Sequence, residues 1–185
     1  MMKKIIYSLA FALLIISRAQ GQMVLPPRDL EALNELSAVN VRVNFARADA
    51  LDRAKQDALQ KLLQDYVEAR FAKAGVPLIP FTTELENAPG SPRFQIQIIM
   101  DKPNGHVYPV VTQSSLFQKV RLSRDSSIEV SVSTWSSYTI GNYDIGEVEM
   151  LKSQVGGEAD QFIKDYLKQN PKPPVKEQHS SVASP

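Results

Sequence analysis

The chain has 185 residues, no cysteine, and 21 basic against 20 acidic side chains, a formal charge of +1. The missing cysteines exclude disulfides, thiolate metal sites, cysteine nucleophiles and a lipid-modified cysteine. No basic stripe accompanies the near-balanced charge, so nucleic acid and anionic lipid are not expected as partners.

Lys3 and Lys4 precede an apolar run, Ile5 to Ile16, and Ala19-Gln20-Gly21 follows it. A basic start, a short apolar core and a small-x-small site predict a secretory signal peptide over residues 1–21. The run is twelve residues, whereas a bilayer-spanning helix needs about 20. Cleavage would start the mature chain at Gln22 and leave 164 of the 185 residues, enough for one domain. Lys3, Lys4 and Arg18 would leave with the leader, so 18 basic residues then face 20 acidic ones, a net charge of −2. The expected product is exported, periplasmic or extracellular, with no transmembrane segment after cleavage.

Residues 22–35 read as a lead-in, in which Pro26-Pro27 blocks helix and Asp29 caps a short turn through Leu33. Val39, Val41, Val43 and Phe45 alternate with Asn40, Arg42 and Asn44, the period of a half-buried strand. Asp49 is the expected N-cap of a helix running to about Lys73. Leu51, Ala54, Ala58, Leu62 and Tyr66 form one apolar row, and Leu59, Leu63, Val67 and Phe71 the next. Gly75 supplies a left-handed C-terminal cap. Val76 to Ile79 is a short extended piece ended by Pro80, and Phe81 to Pro92 reads as loop.

Phe94, Ile96, Ile98 and Met100 alternate with Gln95 and Gln97, a second half-buried strand. Asn104-Gly105 predicts a hairpin turn. The return strand runs from Val107 towards Leu122, with Tyr108, Val110, Leu116, Val120 and Leu122 on one parity and Pro109 at an edge or bulge. A turn over Arg124 to Ser127 leads into Ile128, Val130 and Val132. Gly141 to Asp144 reads as loop. A second helix is expected from about Ile145 to Lys168, with Val148, Leu151, Val155, Ala159, Phe162 and Tyr166 inward. Gly156-Gly157 predicts a kink or break in it. Asn170-Pro171 stops it, and residues 171–185 read as a disordered tail.

The expected order is β-α-β-β-β-β-α, within one domain over residues 36–170. Each long strand has one apolar face. The simplest packing lays two helices on one face of a mainly antiparallel sheet of four or five strands, an α+β two-layer sandwich.

Little in the sequence carries chemistry. His106 follows the hairpin turn and His179 lies in the tail, without further ligands for a metal. Gly156-Gly157 lacks the residues of a phosphate loop. Glu147 and Glu149 suit a helix N-terminus without any catalytic role. No catalytic, cofactor or metal site is assigned, and no enzyme activity is expected. The distinctive surface is the polar sheet face, on which parity places Asn40, Arg42, Asn44, Gln95, Gln97, Glu129, Ser131, Ser133 and Trp135. Amides and hydroxyls beside an indole suit a glycan or an extended peptide. Trp135, Tyr138 and Tyr143 would form an anchor patch if exposed.

Two stretches resemble an uncharacterised family of small exported bacterial proteins. One is Val39 to Ile79, with the helix end Val67-Glu68-Ala69-Arg70-Phe71-Ala72-Lys73-Ala74-Gly75-Val76. The other joins Val132-Ser133-Thr134-Trp135 to Phe162-Ile163-Lys164-Asp165-Tyr166-Leu167-Lys168-Gln169-Asn170-Pro171-Lys172. More loosely, the strand-helix-strand order is similar to envelope modules such as the N-terminal domain of the Tol-system propeller protein and the curli-secretion lipoprotein. That resemblance implies assembly and protein contact in the periplasm, and transfers no functional residue. The expectation is a non-enzymatic envelope protein that binds a protein partner. The alternative is a glycan-binding or carbohydrate-active protein using the polar sheet face.

Overall fold

The computed structural model describes residues 29–48, 51–82, 85, 87–101, 107–144 and 148–171. The expected leader, the Asn104-Gly105 turn, both histidines and nearly all of the tail lie outside the described residues.

Four strands form one sheet in the order β1-β2-β3-β4: β1 Asn40–Ala48, β2 Arg93–Met100, β3 Val107–Leu122 and β4 Asp125–Asp144. Helix α1, Arg53–Ala74, joins β1 to β2, and α2, Val148–Gln169, follows β4. A helical crossover lets β1 and β2 run parallel, whereas β2-β3 and β3-β4 are antiparallel. Helix α1 packs over β1 and α2 over β3 and β4. This is the α+β arrangement of two helices on one sheet face. The expected fifth strand, Val76 to Ile79, is reduced to one parallel bridge between Val39 and Leu78.

Local signals explain most boundaries. Asp29 Oδ1 accepts from the Glu31 and Ala32 amides and starts the 3-10 turn Glu31–Leu33. Gly75 ends α1 at φ 73°, a left-handed conformation that costs glycine nothing. The N-cap of α1 is Asp52 rather than Asp49: its carboxylate accepts from the Lys55 amide at 2.9 Å. That amide is the main cause holding the Asp52 carboxyl below its usual pKa. The buried stripe of α1 is also narrower than expected. Leu63, Val67 and Phe71 are buried, but Ala54 and Ala58 are exposed and Leu62 is 40% exposed.

The core centres on four rings from four elements. Phe94 of β2 lies 4.3 Å from Phe162 of α2, Phe71 of α1 lies 5.3 Å from Phe94, and Trp135 of β4 meets Phe162 edge-on at 5.2 Å. The 3-10 segment closes one end, where Tyr166 donates its hydroxyl to the Leu36 carbonyl at 2.8 Å.

Two expectations near the C-terminus are corrected. Gly141 to Asp144 belongs to β4, because Val107 to Val110 of β3 pair with them in register. Gly156-Gly157 does not break α2, which is one helix across both residues. A Cβ built on Gly156 would stand 3.0 Å from Tyr66 Oη of α1, whereas one on Gly157 meets nothing within 4 Å. Gly156 therefore sits where the two helices approach closely. Arg70 spans the same crossing, donating through Nε to Asp160 at 2.9 Å and through Nη1 to Tyr66 Oη at 2.9 Å. The bond to Asp160 is the main cause raising the Arg70 pKa.

Candidate functional site

The open sheet face collects most of the residues that parity placed there. Register aligns Arg42, Gln95, Ser115 and Ser136 in one row across the four strands, and Asn44, Gln97, Gln113 and Tyr138 in the next. Gln95 Nε2 donates to Asn44 Oδ1 at 2.9 Å across the β1-β2 pair. Glu129, Ser131 and Ser133 extend this face along β4 opposite Arg121, Lys119 and Phe117. A third row starts at Arg47 on β1 and continues through apolar Ile99, Val111 and Ile140, of which Ile140 is 56% exposed. The face is therefore mixed rather than wholly polar.

Trp135 does not join it. The ring is 1% exposed, and its Nε1 donates to Asp165 Oδ2 at 3.0 Å inside the core. The cause is a β-bulge. Leu116 pairs with Trp135 but the next residue, Phe117, pairs with Ser133, so Thr134 is an extra residue in β4. One extra residue reverses the parity of every side chain beyond it. Val130 and Val132 share a face with Trp135 for that reason, and Ser131 and Ser133 take the other. Tyr143 is buried with Trp135, whereas Tyr138 lies on the open face with its hydroxyl buried and without a partner among the described residues. The expected aromatic anchor patch is thus split between two faces.

Asn40 has a structural task as well. It is 5% exposed, and its Nδ2 donates to the Ile79 carbonyl at 2.9 Å, which ties the 77–79 segment to β1. That segment pairs with only the first part of the β1 edge: Val39 donates to Pro77 O at 3.0 Å and accepts from Ile79 N at 2.9 Å. The chain then leaves at Pro80. Beyond it the edge is covered by a side chain. Gln64 of α1 accepts the Val43 amide proton on Oε1 at 2.6 Å and donates from Nε2 to the Val41 carbonyl at 2.9 Å. Glu68, one turn on, accepts from the same Nε2 at 2.5 Å. A groove of 590 Å³ opens here between β1, α1 and the 78–81 segment. Phe81, 65% exposed, flanks it, with the Arg42 guanidinium 5.8 Å from the ring centroid. Arg42 thus belongs both to the open face and to this groove.

Sequence reasoning missed Gln64, whose only local signal is its place beside the apolar stripe with Glu68 four residues on. It also missed a buried polar seam under α2. Glu158, 3% exposed, accepts from Ser114 Oγ and, at 2.5 Å, from Thr139 Oγ1. Gln154 Nε2 donates to Thr112 Oγ1 at 2.8 Å. Thr112 and Ser114 on the core parity of β3, between Val110 and Leu116, were the signal for it. Hydroxyls satisfy this carboxylate, and the seam joins α2 to the sheet. Among the described residues no group of three or more His, Cys, Asp or Glu side chains could hold a metal ion, and no helix is long and apolar enough to cross a membrane.

No family model matches the chain, and no curated protein matches it. Among solved structures, a PelC dodecamer from Paraburkholderia phytofirmans is similar at 12% identity and a TM-score of 0.39, over 66% of this chain and 84% of that one. A neuraminyllactose-binding hemagglutinin homolog from Helicobacter pylori is similar at 10% identity and a TM-score of 0.33, over 74% and 87%.

Proposed function

We propose that this chain is an exported, non-enzymatic protein of the cell envelope that binds a protein partner. The observation that carries the reading is the junction at β1, where an uncovered sheet face runs into the groove beside Arg42 and Phe81. Exposed aromatic and arginine side chains at a concave edge are the groups that anchor protein interfaces. The polar groups around them are spent on main-chain contacts: Gln64 and Asn40 both bond backbone atoms.

Site-specific photocrosslinking tests this reading. A photoreactive side chain is placed at position 42 or 97 of the mature domain, and at exposed position 62, turned away from the groove-lining Gln60, Gln64 and Glu68 on α1, as a control. The expected result is one protein adduct from envelope extract at positions 42 and 97 and none at 62. Equal labelling at all three positions, or no adduct, would overturn it.

A second reading is a glycan-binding role for the open face. It rests on the row of Gln97, Gln113 and Tyr138, since Trp135 is buried. Calorimetry with peptidoglycan fragments and with plant and microbial polysaccharides tests it. Saturable heat that Tyr138→Ala abolishes would support it, and its absence across the panel would remove it.

A further inference from the structure

The two contacts of Gln64 have a specific geometry. In a parallel ladder, one residue donates its N–H to the carbonyl of residue i−1 on the next strand and accepts, at its C=O, the N–H of residue i+1. An antiparallel partner would use two different residues for those two groups. The Gln64 amide donates to Val41 and accepts from Val43, the residues on either side of Arg42. One side-chain amide therefore does what one residue of a parallel strand opposite Arg42 would do. The strand it imitates has already begun. Leu78 is bridged in parallel to Val39, and the same register continued by three residues would place residue 81 opposite Arg42. Phe81 instead turns aside, and Gln64 holds its ladder position.

We infer that the free edge of β1 is a docking site for an extended polypeptide segment of another protein, which adds parallel to β1 in place of the Gln64 amide and sets an acidic side chain against Arg42. This rests on the protein-binding reading above and specifies its site. The main-chain bonds exchange one for one, so displacement leaves no backbone group orphaned. Gln64 keeps Glu68 as a partner when it swings away. Directly opposed residues of paired strands point to the same face, so the incoming residue opposite Arg42 lies on the open face beside that guanidinium and Phe81. Charge complementarity selects a carboxylate there. The cover over Val41 and Val43 is a single side-chain amide beside an open groove, so displacing it costs two hydrogen bonds rather than a packed strand.

A phage library of random peptides panned on the mature domain supplies the probe, and the selected peptide is then synthesised with single backbone N-methyl groups. The expected peptide carries one enriched acidic position. N-methylation at that residue, or at the residue two positions C-terminal to it, weakens binding about tenfold, because those amides face the Val41 and Val43 carbonyls of β1. The Val39 carbonyl already accepts from Ile79, so N-methylation on the N-terminal side, or at the residue between those two, leaves affinity unchanged. Gln64→Ala strengthens binding several-fold by removing the competing amide, and Arg42→Glu moves the selected charge from acidic to basic. If Gln64→Ala fails to fold by circular dichroism, the N-methyl series and Arg42→Glu decide. Binding indifferent to the methylation pattern, weakened by Gln64→Ala in a folded variant, or absent from the selection would overturn the proposal. Crosslinks at position 97 without such peptides would leave the broader protein-binding reading standing, whereas no crosslinks and no peptides would remove both.

Discussion

Gly156 and Gly157 are neighbours of one type on one helix, yet they answer to different constraints. Gly156 faces the Tyr66 ring, with Cε1 3.2 Å and Oη 3.0 Å from where a Cβ would stand. That ring cannot retreat freely. Its hydroxyl accepts from Arg70, and the Arg70 guanidinium lies 5.1 Å from its centroid while bonding Asp160. Gly156→Ala is therefore expected to destabilise the fold by about 1–3 kcal/mol through overpacking. Gly157→Ala meets open space and is expected to stabilise it by about 0.5–1 kcal/mol through helix propensity. Urea unfolding of the two variants checks the opposite signs, and two destabilised variants would contradict this account. A glycine pair read along the sequence gives only its propensity. The neighbour that distinguishes its members comes from another helix.

Among the elements, β4 shows how one residue controls a whole face. Thr134 is held at the bulge by Oγ1, which lies 2.6 Å from Gln118 Oε1 and 3.4 Å from the Leu116 carbonyl. Deleting Thr134 would restore simple alternation and force a choice. Either Trp135 leaves the core, or Val130 and Val132 change sides. Trp135 is the single tryptophan and is almost fully buried, so its emission reports the outcome. The deletion is expected to lower the unfolding midpoint strongly and to shift native emission to the red. Unchanged blue emission with unchanged stability would show that the bulge is dispensable. The extents of β2 and β3 were visible in the sequence because period-two alternation runs through both and an Asn-Gly signal separates them. The face of Trp135 was not, because a bulge is specified by cross-strand pairing with Leu116 and Phe117. The same holds for the candidate site. Arg42, Asn44, Gln95 and Gln97 follow from period-two alternation. Gln64 belongs to a helix, and its meaning depends on an edge 21 residues away.

For the whole molecule, the two buried phenols that close the core link stability to alkaline pH. Burial raises the pKa of both Tyr143 and Tyr166 above the ordinary value near 10.0. The folded state therefore holds their protons more tightly than the unfolded chain. Their contribution is complete below about pH 10 and falls as pH rises through the folded values. Urea midpoints measured from about pH 8 upward should stay level with respect to these groups and then decline above about pH 10. Tyr166→Phe should lower stability at the neutral end by removing the bond to Leu36, yet make the alkaline decline shallower. An equally steep decline in that variant would exclude Tyr166 as a source of the linkage. Period-two alternation, the Asp29 and Gly75 caps and the order of the long elements were fixed by contacts within a few residues, so the chain's own pattern specified the α+β architecture. The side taken by Trp135, the closeness of the helices at Gly156 and the covering of the β1 edge by Gln64 were decided by tertiary packing. Each depends on groups far apart along the chain, as far as the 90 residues between Arg70 and Asp160, and no local periodicity encodes such a distance.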